Sequence, residues 1–223
     1  MVVLSLVFVT NLCARAESLA ELSESFWQWR AQEQPFTNDD IPRIARPEGF
    51  VVDWSAKTIA ERLDQLAAFD QRWKAIAPSA GAAVDEQVDY RLLGSALARV
   101  RWELAVQENW KRDPQFYVDQ TLGSVFILLL PPPPFSESRQ REIVARMKQI
   151  PATIETAKQN LTDMRQPFVQ LAIDALNHVQ ERTQRMVSAL GPELAEANRK
   201  TLEQAMPAAV SALAQYRQWL ESK

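Results

Sequence analysis

Cysteine and histidine are almost missing from these 223 residues, which hold one of each, Cys13 and His178. Protein zinc sites draw three or four ligands from His, Cys and carboxylates, and the His-Glu-x-x-His helix needs two histidines one turn apart. A single histidine excludes that helix. Glycine is scarce too, at positions 49, 81, 94, 123 and 191, and no Gly-x-Gly or Gly-Lys-Ser/Thr occurs, so the common phosphate-cradling loops are absent. Neither sign of charge dominates: 25 Lys and Arg alternate with 28 Asp and Glu, which gives a net charge of −3. Nucleic acid, which draws on a concentrated basic face, is not an expected partner. After the first residues no apolar run reaches bilayer length, since Val125 to Leu130 stops at four prolines, 131 to 134.

What is present is helical. Ala, Leu, Gln, Glu and Arg abound, and five glycines are too few for the turns of a doubly wound α/β fold or a β-sandwich. Ile59, Leu63, Leu66, Trp73 and Ile76 share one 3.6-residue face, as do Leu93, Leu97, Val100 and Leu104. Ser55 is placed to cap a helix, Asp113-Pro114 pairs an N-cap with proline at the first helical position, and Pro151, Pro167 and Pro192 are each expected to start another. Phe168, Leu171, Ala175, Val179, Met186 and Leu190 predict one stripe. After Gly191-Pro192 a second stripe follows, Leu202, Ala205, Ala209, Leu213, Tyr216 and Leu220, so the pair predicts an antiparallel hairpin whose second arm is kinked at Pro207. The expectation is an all-α fold, a multi-helix array of antiparallel helices ending in that hairpin. Residues 35 to 53 and 78 to 85 read as irregular, and the four prolines as a stiff spacer.

Met1 to Thr10 is an apolar run followed by Ala14-Arg15-Ala16, the small-x-small pattern of a leader peptidase site, although no Lys or Arg precedes the run. Residues 1–16 are expected to be a signal peptide and residues 17–223 one exported helical domain, periplasmic or extracellular. Cys13 sits in no lipobox and leaves with the leader, so the mature chain has neither a thiol for a Cys-His pair nor a disulfide.

Phe26-Trp27-Gln28-Trp29-Arg30, the segment from Asp89-Tyr90-Arg91-Leu92-Leu93 to Trp102-Glu103, and Asn109-Trp110 with Asp113-Pro114-Gln115-Phe116-Tyr117 carry a family likeness. So do Arg146-Met147-Lys148-Gln149-Ile150-Pro151, Ala157-Lys158-Gln159-Asn160-Leu161 and Pro167. In this order they resemble the N-terminal half of bacterial domain-of-unknown-function family 885, over Leu19 to Lys223. The resemblance implies a helix-rich, exported protein akin to zinc metallopeptidases, whose longer members carry a His-Glu-x-x-His helix in their C-terminal half. No zinc ligand or general base carries over to this chain. What the resemblance implies here is a truncated, non-catalytic portion forming the helical wall of a substrate channel. Its partner would be the missing catalytic half, without which Ala205, Ala209, Leu213, Tyr216 and Leu220 are expected to be underpacked, and a peptide substrate would be engaged only in the completed protein.

Individual residues add little chemistry. Asp174, His178 and Ser188 suggest a hydrolytic triad only formally, because no nucleophile-elbow glycines surround any serine; His178 reads as an ion-pair or core histidine. Most of the seven tryptophans read as core, with Trp29 (beside Arg30) and Trp110 (beside Lys111 and Arg112) the two placed to line a channel rim. Asp85, Glu86 and Asp89 read as helix caps. Catalytic, cofactor-binding and metal residues are therefore none, and no cofactor is expected. A second reading, an autonomous exported helical binding or scaffolding protein, fits the same composition.

Overall fold

The computed structural model describes residues 17–35, 49 and 51–223; the expected leader with Cys13, and most of the irregular stretch 35–53, lie outside them. The fold is all-α. Ser18 opens α1 (Leu19–Glu33) through a capping box, its hydroxyl accepting from the Glu21 amide while the Glu21 carboxylate accepts from the Ser18 amide. Ser55 caps α2 (Ala56–Ala75) as expected. The third helix, α3 (Val84–Trp102), instead has Ala83 at its N-cap with no side-chain bond, so Asp85 and Glu86 sit in its first turn as dipole partners and not as caps.

From there the chain is broken into short pieces. A π turn at Glu103–Gln107 leads through Glu108, which has left-handed backbone (φ 49°), to α4 (Asn109–Arg112). Asp113 accepts from the Gln115 amide and Pro114 follows at the start of α5 (Pro114–Val118), as the sequence indicates. A second π turn, Asp119–Gly123, joins α5 to α6 (Ser124–Ile127). Arg139 then fastens the proline spacer, donating to the carbonyls of Leu128 (2.5 Å) and Pro131 (2.6 Å).

The remaining helices are α7 (Glu137–Asn160), α8 (Gln166–Ala175), α9 (Val179–Leu190) and α10 (Glu196–Glu221). Pro167 and Pro192 stand at the starts of α8 and of the 3₁₀ turn Gly191–Glu193. Pro151 does not start a helix. It lies inside α7, where it withholds one backbone bond, and the burial of Met147, Ile150, Ile154 and Ala157 on either side holds the helix together across it. Pro207, where the sequence predicts a kink, lies inside α10.

Two further expectations are corrected. Phe168 and Leu171 look outward, and the buried line is Val169, Ala172, Leu176, Val179, Thr183, Val187 and Leu190, interrupted where His178 turns left-handed (φ 54°). The broken helix shifts the register, so no single stripe runs from 168 to 190. The α10 stripe, expected to be underpacked, is among the best buried: Ala209, Leu213 and Tyr216 are fully covered, chiefly by α7 and secondarily by α9. The Tyr216 hydroxyl donates to the Pro114 carbonyl at 3.0 Å, and burial pushes its ionisation up, so the donor persists at all ordinary pH. Apolar area is exposed elsewhere, along Val84, Val88, Leu92 and Trp102 on α3, which recur at helical spacing on one face. No helix among the described residues is long and apolar enough to cross a membrane.

Gly94 shows how tightly α2 and α3 meet. A Cβ there would stand 2.4 Å from Trp73 Cζ2, and the indole cannot retreat: it stacks on Tyr90 at 4.6 Å and donates Nε1–H to the Tyr90 carbonyl at 2.9 Å. Gly94→Ala, normally favourable in a helix, is expected to destabilise by about 1–3 kcal/mol through overpacking. A thermal melt at or above the wild-type midpoint would show that Trp73 repacks freely.

Candidate functional site

A pocket of about 340 Å³ opens where α1, α2, α3, the first π turn, α4 and α5 meet. Its walls are aromatic: Trp29, Trp54, Trp102, Trp110 and Phe116. Three arginines, Arg30, Arg62 and Arg99, and two carboxylates, Glu33 and Glu103, are set among them.

The helical spacing explains the arrangement. Trp29, Arg30 and Glu33 share the turn at the end of α1, and Arg99, Trp102 and Glu103 share the turn that closes α3. The π turn then adds a residue to the helical phase, and left-handed Glu108 redirects the chain so that Trp110 returns over the turn; its Nε1–H donates to the Leu104 carbonyl at 3.0 Å. Trp54 and Phe116 meet edge to face at 4.8 Å. Behind them Asn160, buried at the end of α7, donates to the Trp54 carbonyl (2.5 Å) and the Tyr117 hydroxyl (2.9 Å), and that hydroxyl donates to the Trp110 carbonyl (2.6 Å). Burial holds the Tyr117 phenol protonated, so the relay of bonds stays intact.

Charges in the pocket are paired. Glu103 accepts from Arg30 and, at 3.1 Å, from Arg99. Arg62 is only 2% exposed; its Nε donates to Glu33 and its guanidinium lies 4.6 Å from the Trp54 ring centroid. Burial lowers the Arg62 pKa while Glu33 opposes that shift, and the group stays charged at any physiological pH.

Trp29 and Trp110, singled out from their charged neighbours, do face one pocket, although Lys111 and Arg112 do not line it; Arg112 is engaged by Glu108 and Asp163. Reading the other tryptophans as core holds for Trp54, which is 4% exposed, and fails for Trp102, which is 52% exposed. Arg62 and Glu33 carried no sequence signal strong enough to find them, because they meet across 29 residues. His178 lies exposed between α8 and α9, and Asp174 accepts from Gln170 (3.0 Å), so the formal triad is not assembled. Among the described residues no group of three or more His, Cys, Asp or Glu is placed to hold a metal ion.

The segments that carry the family likeness converge here: Trp29-Arg30, Trp102-Glu103, Asn109-Trp110 and Phe116 all line the pocket, and Asn160 supports it. The family model for bacterial proteins of unknown function, DUF885, matches residues 43–223. The chain belongs to that family. The match starts later than Leu19, so the Phe26 to Arg30 segment lies outside it. A solved structure of a candidate lipoprotein of unknown function from Shewanella oneidensis shares this DUF885 chain's fold, with a TM-score of 0.69 at 19% identity. The similarity covers 93% of this chain and 38% of that one, so the chain spans well under half the length of the protein it matches. No curated protein matches it.

Proposed function

We propose that residues 17–223 form the substrate-facing helical wall, the N-terminal portion, of an exported metallopeptidase-like protein, and that the tryptophan-lined pocket is where substrate rests against it. The observation that carries this reading is the convergence of the family-type segments on one pocket whose volume suits a small ligand. Peptide hydrolysis itself would belong to the remainder of the longer protein, and the exposed face of Val84, Val88 and Leu92 offers that remainder an apolar seat. The lipoprotein description of the Shewanella relative supports a cell-envelope location.

Indole fluorescence reads the pocket directly. Titration with Ala-Ala-Ala-Phe, as free acid and as C-terminal amide, is expected to quench emission saturably with at least one form, and Trp102→Ala to weaken that binding about fivefold or more. No saturable response to either form would overturn the reading.

A further inference from the structure

The pocket is rich in charge and has none to spare. Glu103 accepts from both Arg30 and Arg99, and Glu33 accepts from Arg62, so every charged group of the lining is engaged by another. Asp53, outside the lining, completes the balance, since its carboxylate and the Arg62 guanidinium act on each other. Three positive charges meet three negative ones. A charged ligand entering this space gives up hydration and finds no unpaired counter-charge, whereas a neutral ligand gives up little.

The groups left uncommitted are neutral as well. Asn109 and Gln107 line the pocket half-buried, and their side-chain amides bond to nothing among the described residues. Each offers both a donor and an acceptor, which is what a peptide bond needs on its two sides. The walls of Trp29, Trp54, Trp102, Trp110 and Phe116 suit a flat or branched apolar body. A sugar, with a hydroxyl on nearly every carbon, needs more partners than two amides supply.

A residue in the interior of a peptide combines these properties, because its side chain stands between two uncharged peptide bonds. At a chain end the same side chain sits beside an ammonium or a carboxylate. Resting on the reading of this pocket as a peptide-binding surface, we infer that it takes the side chain of an aromatic or branched apolar residue from the interior of a peptide, and that it discriminates against chain ends because its own charges are already balanced.

Three probes present one benzyl group with different charge. N-acetyl-L-phenylalaninamide is neutral, like an interior residue; N-acetyl-L-phenylalanine is an anion, and L-phenylalaninamide at about pH 6 is a cation. With the full chain, the neutral probe is expected to bind about fivefold or more tightly than either charged one. Glu103→Gln, which leaves Arg30 and Arg99 without their carboxylate, is expected to raise the affinity for the anion relative to the neutral probe about tenfold. If that variant fails to fold by circular dichroism, the order of the three probes on the wild type decides alone. A charged probe that matches or exceeds the neutral one, tighter binding of methyl β-D-glucopyranoside than of all three, or an unchanged ratio in folded Glu103→Gln overturns the interior-residue inference and leaves the pocket a binding surface. No saturable response to any probe overturns the inference too, and the tetrapeptide titration then decides whether the pocket reading falls with it.

Discussion

Glu33→Leu is expected to lower folding stability by about 3 kcal/mol. The substitution itself is mild in volume, and Glu33 sits at the end of α1, where helix propensity matters little. The cost lies on the other partner. Arg62 is almost wholly buried and cannot shed its proton, so removal of Glu33 strands a charge with the Trp54 ring and distant Asp53 as its remaining counterparts. Adding Arg62→Met removes the stranded charge and is expected to recover about half or more of the loss. Urea denaturation of the two single variants and the double variant measures this, with unchanged m-values certifying that the unfolded states are comparable. A Glu33→Leu loss below about 1 kcal/mol would mean that Asp53 compensates Arg62 unaided.

The second large effect is expected at Asn160. Replacement by leucine leaves the buried Trp54 carbonyl and one lone pair of the Tyr117 hydroxyl without a donor, at about 2–4 kcal/mol for the two together. In a chain of this size that corresponds to a fall of roughly 5–12 °C in melting temperature. The loss should be local in character as well. Because the Trp54 and Trp110 carbonyls hang on the same Asn160–Tyr117 relay, indole emission at temperatures well below the melt should shift to the red as the walls of the pocket loosen. An Asn160→Leu variant with wild-type melting and emission would show that the relay is redundant.

The contrast between these residues also explains what could be read from the sequence. Helices, their caps at Ser55 and Asp113, and the apolar faces of α2, α3 and α10 follow from local spacing, which is why they were legible. Which partner covers a face is not local. The α10 stripe reads equally well as a face awaiting a partner, and only the position of α7 shows that it is covered. Pro151 is a legitimate helix starter on its own terms and is overruled by the packing of α7 on both sides of it. In the 168 to 190 stretch, Phe168 and Leu171 outweigh Val169 and Ala172 in hydrophobicity, so periodicity favoured the exposed set. The pocket was half visible: Trp29 and Trp110 announce themselves by charged neighbours, whereas Arg62, bonded to a residue on another helix, looks like any surface arginine of an amphipathic helix.

The two π turns, Glu103–Gln107 and Asp119–Gly123, carry a consequence for heredity. Each holds one residue more than a regular helix would place there, so the direction of everything downstream depends on the length of the segment and not on the identity of any side chain in it. Deletion of the codon for Ala105 or Val106, the two residues of the turn that do not line the pocket, would restore the α phase and turn Trp110 about 100° around the axis, away from Trp29 and Trp102, while removing no residue of the pocket. Along this stretch the gene can change what the pocket admits by an insertion or deletion of three nucleotides, a route that point substitution does not offer.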